Sequence, residues 1–389
     1  MAVIVRILVT IGLAAICGGA SAQDYSGHRV IDTAVLNLMA GPVNTAALLS
    51  PDGSRLLHIG SDICLLAPAE AGAWKKTGCI KNRPDYEARA PEDALWSPRG
   101  DRVIMPTYVV GVLGLHDTDV RVLDRHTMTV TNLTDDGYDG SLPKSPASAS
   151  FDLIARWLDD DTILFLRYPI GTEAIGNSGS GWPPPGLMTI MAAGGKPTEL
   201  LTLPSAGHLH VYALAVSANG RRIAYSHDDR DNPGVAGIYV LDVGSAAPKR
   251  IAAMTQVGKP PAGMAFSADG DFLLLLGPYD PDKGQTARVL DLATGKVVPV
   301  DATRAVAGVA WSPTGSALAY VTDGRTKANE PGGLFLANRP GEPGRPLLQG
   351  AFMPPVCCGR LPFIWASNDT MVLGNAAKHD APLFVRLGN

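Results

Sequence analysis

The sequence predicts an all-β fold, a single seven-bladed β-propeller of four-stranded antiparallel blades. Three observations lead to this prediction. A turn motif recurs at intervals of roughly 45 to 60 residues, each copy separates two short apolar runs, and no long helical periodicity lies between the copies. The 43 glycines and 31 prolines among 389 residues supply the many turns that such a fold needs.

The overall charge limits the partners. Lys and Arg number 33 against 37 Asp and Glu, which gives a net charge of −4. Because binding to nucleic acid depends on a basic surface, a nucleic-acid partner is not expected. Hydrophobic residues make up 46% of the chain and charged residues 18%, a composition that favours a folded core over a disordered chain.

Five copies of the turn begin with serine and end with glycine. They are Ser50-Pro51-Asp52-Gly53, Ser97-Pro98-Arg99-Gly100, Ser217-Ala218-Asn219-Gly220, Ser267-Ala268-Asp269-Gly270 and Ser312-Pro313-Thr314-Gly315. Serine at the first position, proline at the second and glycine at the fourth are typical of a type I turn. Each predicted unit therefore opens with a hairpin.

Two more units lack the glycine but keep a tryptophan before the turn, at Trp157 and Trp365. With them, seven anchor residues each end a first strand: Leu49, Trp96, Trp157, Val216, Phe266, Trp311 and Trp365. A Val-Leu-Asp sequence marks the third strand at residues 122–124, 240–242 and 289–291, and a fourth strand follows each. The count of anchors predicts seven blades.

The two ends of the chain predict how the ring closes. The residues after Trp365 provide strands at 370–375 and 383–387 but no fourth strand, and residues 30–38 form a strand with no unit of its own. If the N-terminal strand completes the seventh blade, the ring closes and the exposed edge that an open array would leave is removed. The alternative is an open, linear array.

The repeat resembles the TolB-type, WD-like β-propeller repeat. The likeness rests on the Ser-Pro-Asp-Gly turn, the Val-Leu-Asp strand and the turn Ala293-Thr294-Gly295-Lys296, and it covers residues 23–389. The resemblance implies the fold and says little about function, because the shared residues are structural turns. Propellers of prolyl-oligopeptidase peptidases carry the same repeat, but the stretch Gly176-Asn177-Ser178-Gly179-Ser180 does not match a G-x-S-x-G nucleophile motif.

Residues 1–22 are predicted to be a signal peptide. Arg6 precedes an apolar run, and Ala20-Ser21-Ala22 fits a cleavage site before Gln23. A membrane anchor, a buried helix and lipidation at Cys17 are the alternatives. No later stretch is long enough to span a bilayer. The expected location is therefore periplasmic or secreted.

Four cysteines follow the signal peptide: Cys64, Cys79, Cys357 and Cys358. An even number in an exported chain favours disulfides. Strands over residues 62–67 and 73–80 would form a hairpin that places Cys64 opposite Cys79, the alternative being two free thiols. For Cys357 and Cys358 we favour a bond between the two neighbours, the alternative being a link to the first blade.

Candidate ligand-binding residues fall in two places. His208 and His210 alternate on a predicted strand entry, and with Asp93 and Asp152 they could converge at the central channel and hold a metal. Trp182 lies in an insertion over residues 172–186. The alternatives are solvated loop histidines and a tryptophan folded back on its blade. No metal or other cofactor is assigned.

The expected function is that of a periplasmic binding or scaffold protein that presents the faces of its propeller to a protein or cell-envelope ligand. The supports are export, ring closure, the absence of a catalytic domain and analogy with the family. The alternative is a propeller enzyme, a lyase or hydrolase with its site in the central channel. The chain is expected to be a monomer.

Overall fold

The computed structural model describes most of the propeller and leaves gaps at its connections. The described residues are 24–35, 46–59, 62–69, 74–81, 94–105, 110–111, 114–115, 118–137, 150–169, 184–204, 213–229, 232–280, 284–304, 306–322, 332–349, 364–367, 369–373 and 383–388. Within them one short helix, α1 (Met254–Val257), accompanies the strands. The prediction of an all-β fold is confirmed. No helix among the described residues is long enough to cross a membrane.

Strand β1 (Arg29–Val35) precedes blade 1 in the sequence. Blade 1 contains β2 (Ala46–Leu49), β3 (Leu56–Ile59), β4 (Asp62–Pro68) and β5 (Trp74–Lys81). Blade 2 contains β6 (Leu95–Trp96), β7 (Arg102–Met105), β10 (Arg121–Asp124) and β11 (Thr129–Asn132), with a small hairpin of β8 (Val110–Gly111) and β9 (Gly114–Leu115) inserted. Blade 3 contains β12 (Ser150–Trp157), β13 (Thr162–Pro169), β14 (Gly186–Met191) and β15 (Thr198–Thr202).

The remaining blades follow the same order from the channel outwards. Blade 4 contains β16 (Leu214–Val216), β17 (Arg222–His227), β18 (Gly237–Asp242) and β19 (Lys249–Ala253). Blade 5 contains β20 (Gly263–Phe266), β21 (Phe272–Asp280), β22 (Gly284–Asp291) and β23 (Val297–Pro299). Blade 6 contains β24 (Val306–Trp311), β25 (Leu318–Thr322), β26 (Gly333–Ala337) and β27 (Arg345–Gln349). Blade 7 contains β28 (Ile364–Ser367), β29 (Thr370–Leu373) and β30 (Leu383–Gly388).

The N-terminal strand closes the ring, as predicted. Strand β1 pairs antiparallel with β30 and becomes the fourth, outermost strand of blade 7. The pairing runs from Arg29 opposite Gly388 to Val35 opposite Leu383. The seven four-stranded blades therefore form a closed propeller, and the open array is excluded.

The seven predicted anchors all lie in the innermost strands, and three of the tryptophans tie neighbouring blades together. Trp96 Nε1 donates to the carbonyl oxygen of Leu48 at 3.0 Å. Trp157 bonds Leu95 of blade 2 in the same way at 2.8 Å. In each case the acceptor belongs to the preceding blade, so the anchors fix the spacing between blades as well as filling the core.

The predicted disulfide of blade 1 is present. Strands β4 and β5 pair with Cys64 directly opposite Cys79, and their Cα atoms lie 4.1 Å apart. The Cys64 side chain is buried in the apolar cluster between blades 1 and 7, whereas Cys79 is exposed on the outer strand β5. Two free thiols are thus excluded. Cys357 and Cys358 lie outside the described residues, and their pairing stays a prediction.

The two faces of the ring carry different connections. Because consecutive strands of a blade are antiparallel, the first-to-second and third-to-fourth connections lie at one end, here called the turn face. The second-to-third connections and those between blades lie at the other end, here called the loop face. At the turn face each serine of the motif is buried. In four of the five, all but Ser312, the hydroxyl accepts the N–H five residues on, as Ser50 Oγ does from Arg55 N at 2.9 Å.

Candidate functional site

Asp152 is the predicted channel residue that the structure describes. It lies near the loop-face end of β12, the inner strand of blade 3, and it is only 4% exposed. Arg167, opposite it on β13, donates from Nε to Oδ1 at 2.8 Å and from Nη2 to Oδ2 at 2.6 Å. This two-point contact occupies both carboxylate oxygens and gives the pair a fixed geometry.

A second buried carboxylate faces Asp152 from blade 2. Asp119, at the start of the third strand, accepts a hydrogen bond from Asn132 Nδ2 at 2.6 Å and one from Thr134 Oγ1 at 3.4 Å. The Arg121 guanidinium lies 3.5 Å from the same carboxylate. Because buried polar groups need partners, these contacts are what allow Asp119 to lie inside the protein.

The connection between the two blades adds a third carboxylate. Asp136 accepts a hydrogen bond from the backbone N–H of Ser150 at 2.7 Å, and the Asp152 N–H donates to the Thr118 carbonyl at 2.9 Å. We call the set of Asp119, Asp136, Asp152 and the arginines 121 and 167 the polar junction. It joins blades 2 and 3 at the loop face.

The electrostatics of the polar junction depend on burial. Burial raises the pKa of Asp152, and the Arg167 guanidinium opposes that rise. Burial also raises the pKa of Asp119, against the hydrogen bond from Asn132 and the charge of Arg121. Carboxyls with raised pKa values occur at catalytic sites and at structural ion networks alike. Here the aspartate oxygens are held by partners, which is the arrangement of a structural network.

Of the other candidate residues, Asp93, His208 and His210 were predicted to meet Asp152, and the structure does not test this. Asp93, Trp182, His208 and His210 lie outside the described residues. The segments that contain these residues connect strand ends at the loop face. The segment with His208, for example, follows the end of β15 and precedes the start of β16. Their convergence therefore stays a prediction. Among the described residues, no group of three or more His, Cys, Asp or Glu side chains is arranged to hold a metal ion.

Sequence reasoning missed most of the polar junction. Arg167 carried a usable signal, because it interrupts the buried apolar run of β13 and a buried arginine requires a partner. Asp119 and Asp136 carried none, since each lies in a polar connection where an aspartate is ordinary. Only the pairing of β12 with β13 brings the carboxylates and arginines together.

The comparisons with known proteins agree with the fold. No protein-family model and no curated protein matches the chain. A solved oligogalacturonate lyase in complex with manganese has a TM-score of 0.55 at 12% identity, covering 92% of this chain and 96% of that one. U3-55K has a TM-score of 0.50 at 11% identity, covering 92% of this chain and all of the other (100%).

A TolB protein is also among the similar structures. TolB from Acinetobacter baumannii has a TM-score of 0.39 at 13% identity, and the alignment covers 88% of this chain and 63% of that one. At these identities the likenesses concern the fold alone. The seven-bladed propeller implied by the TolB-type repeat is confirmed by the blades themselves.

Proposed function

We propose that this chain is an exported binding or scaffold protein that recognises a protein or cell-envelope component through the loop face of its propeller. The observation that carries the proposal is the difference between the two faces. The turn face consists of short turns tied to one another, whereas the loop face bears long connections on a rigid frame. Loops on a rigid scaffold are where binding residues concentrate.

The turn face is fixed by contacts between blades. Arg99 of blade 2 makes an ion pair with Asp160 of blade 3, Nε to Oδ2, at 2.8 Å. The Ala268 N–H donates to the Gly315 carbonyl at 3.1 Å, which links the turns of blades 5 and 6. These contacts hold the turns of neighbouring blades against one another.

The loop face offers longer segments. Residues 82–94 connect blades 1 and 2, and residues 170–185 connect β13 and β14 of blade 3 and include Trp182. The polar junction fixes the loop-face ends of strands in blades 2 and 3. An aromatic residue on such a segment suits the role of an interface anchor. Export is supported by residues 1–22 and by the Cys64–Cys79 disulfide, a bond typical of oxidising compartments.

Site-specific photo-crosslinking tests the proposal. A photoreactive amino acid is placed at Trp182 on the loop-face connection, and at Ala246 in the exposed turn between β18 and β19 as the matched control. Irradiation in a cell-envelope extract should give a discrete adduct from position 182 and none from position 246. Adducts from both positions, or from position 246 alone, would contradict a loop-face binding site.

The enzyme alternative requires a metal site in the central channel. A metal-dependent lyase or hydrolase would use Asp93, Asp152, His208 and His210 in the channel, and Asp152 would have to leave Arg167 to bind a metal. Elemental analysis of protein purified without chelators separates the two functions. One equivalent of a transition metal, lost in His208→Ala, would favour the enzyme, and its absence would favour the binding protein.

A further inference from the structure

A groove of about 250 Å³ opens between blades 1 and 2, away from the loop face. Blade 1 contributes Arg55, at the start of its second strand, together with Leu65 and Gly78. Blade 2 contributes the turn between β10 and β11, residues 125–128. The groove is smaller than the roughly 300–1,000 Å³ typical of pockets for drug-sized ligands, so only a small molecule or the end of a larger one fits.

The turn of blade 2 has the same backbone as the corresponding turn of blade 5. In blade 2 the Asp124 carboxylate accepts the N–H of His126 at 2.8 Å, and the Met128 N–H bonds the Asp124 carbonyl at 2.9 Å. In blade 5 the Gly295 N–H bonds the Asp291 carbonyl at 2.8 Å in the same way. The turn of blade 5 therefore provides a direct comparison for the side chains of the blade 2 turn.

After the shared aspartate, the two turns have the same threonine, Thr127 and Thr294, and differ at the other three positions. Where blade 5 has Leu292, Ala293 and Gly295, blade 2 has Arg125, His126 and Met128. An apolar turn has thus been replaced by one that carries two basic side chains and a long apolar one.

Met128 adopts a conformation that favours glycine. Its φ is +54°, and the equivalent Gly295 has φ +71°. A side chain is strained in this left-handed region, and such strain is typically kept where a site requires it. Blade 1 makes room for the methionine, since a Cβ on Gly78 would lie 3.2 Å from Met128 Cγ. The glycine at position 78 thus leaves space for the Met128 side chain, and both residues line the groove.

Arg55 differs from its counterparts in other blades. The arginines at the same place in blades 2 and 4 reach the next blade: Arg102 Nη1 lies 3.1 Å from Asp161 Oδ1, and Arg222 Nη1 donates to the Gly270 carbonyl at 3.0 Å. Arg55 Nη1 instead donates to the carbonyl of its neighbour Ser54 at 2.7 Å. In the described part of the chain, no carboxylate makes an ion pair with it. Its charge is thus available to a ligand.

The carboxylates near the groove are already engaged. Asp101 makes an ion pair with Arg125 at 2.9 Å and lies 3.4 Å from His126 Nε2. Asp52 accepts hydrogen bonds from Ser50 Oγ at 2.6 Å and from Ser54 Oγ at 2.7 Å. Asp101 is thus shared by Arg125 and His126, and Asp52 stays an anion held by serine hydroxyls. Arg55 is therefore the cation beside the groove that no carboxylate pairs in the described part of the chain.

We propose that this groove binds a small organic anion, a carboxylate or phosphate monoester. Arg55 contacts the anionic group, and Leu65 and Met128 pack against the attached carbon atoms. A guanidinium suits either head group, because its donors match two oxygens at once. The site lies away from the loop face and does not depend on the proposed function.

Isothermal titration calorimetry on the whole mature chain tests the proposal with four probes: inorganic phosphate, butyrate, butyl phosphate and the neutral butanol. We expect saturable binding of butyl phosphate or butyrate, which identifies the head group, and none of butanol. Arg55→Gln should weaken that binding by about tenfold or more, since a charge-assisted contact is lost. The matched control Arg222→Gln removes the counterpart arginine of blade 4 and should leave the affinity unchanged.

Met128→Gly provides a second variant that the fold accepts, because glycine occupies this position in blade 5. It should weaken binding of the butyl probe several-fold and leave inorganic phosphate unaffected. The proposal is overturned if no anionic probe saturates, if butanol binds as well as the anions, or if Arg222→Gln reduces affinity as much as Arg55→Gln. Unchanged melting curves for the variants establish that any loss is local.

Discussion

The indole ring of Trp365 packs edge-on against the phenol ring of Tyr25, with the ring centroids 4.7 Å apart. Tyr25 precedes β1, and Trp365 lies in the innermost strand of blade 7. The segment is also held by blade 6, where Arg345 Nη2 donates to the Tyr25 carbonyl at 2.8 Å and to the His28 carbonyl. Ring closure therefore combines a paired strand, a buried aromatic residue and an arginine clamp.

Removal of residues 23–38 should sharply destabilise the chain that begins at Gln23. The deletion exposes the edge of β30 and removes Tyr25 from the core, and the loss of a buried aromatic side chain alone costs about 3–5 kcal/mol. Thermal unfolding of the truncated chain against the chain from Gln23 measures the effect. Equal melting temperatures would show that β1 does not close the ring.

Trp311→Phe should destabilise the protein through a single lost hydrogen bond. The Trp311 Nε1 atom donates to the Ala265 carbonyl at 2.9 Å in a partly buried contact, and phenylalanine leaves that carbonyl without this partner, at a cost of about 1–3 kcal/mol. Trp365→Phe is the control, because the buried Trp365 Nε1 has no hydrogen-bond partner among the described residues. Denaturant unfolding should show the larger loss for Trp311→Phe, and the opposite order would contradict the role of the tryptophan bonds.

Arg167→Met should lower the free energy of unfolding by more than the partial exposure of Arg167 suggests. It leaves the Asp152 carboxylate buried without its partner, and breaking a buried pair in this way costs about 3–5 kcal/mol. The double variant Asp152→Leu with Arg167→Met removes both charges and should recover much of the stability. If the double variant is as unstable as the single one, the loss comes from packing and not from the unpaired charge.

The stability that Asp152 contributes should depend on pH in a defined direction. Burial raises the pKa of Asp152, so the folded protein binds this proton more tightly than the unfolded chain does. The wild type should therefore gain stability relative to Asp152→Asn as the pH falls from 7 towards the ordinary carboxyl value of about 4. Unfolding free energies of both proteins across this range give the slope, and a slope of the opposite sign would show that the charge of Arg167 outweighs burial.

Loss of the Cys64–Cys79 bond should destabilise blade 1 by about 3 kcal/mol, the chain-entropy value for its sequence separation of 15 residues. Unfolding of the oxidised protein is compared with that of Cys64→Ala/Cys79→Ala. A reductant should lower the midpoint of the wild type towards that of the variant and leave the variant unchanged. A variant as stable as the oxidised wild type would contradict a structural role for the bond.

The blades could be predicted because their signal is local and repeated. A turn such as Ser50-Pro51-Asp52-Gly53 has the same chemistry wherever it occurs, and the register of β4 against β5 follows from the hairpin alone. The polar junction could not be predicted, since Asp119 and Asp152 meet only after two blades pack. Prediction of the groove required the structure for the same reason, since Arg55 and Met128 are 73 residues apart in sequence. Their departure from the counterpart residues is seen only when equivalent turns of different blades are compared.

The pairing of β1 with β30 also fixes the order of events during synthesis. The anchors Trp96, Trp157 and Trp311 each bond the blade that precedes them, so a newly made blade can dock on one that already exists. Strand β1 is the exception, because its partner begins at Leu383 and is therefore made after every other described strand. The strand that leaves the ribosome first among them waits longest with its backbone unpaired, and during that interval it is the segment most open to pairing with another chain.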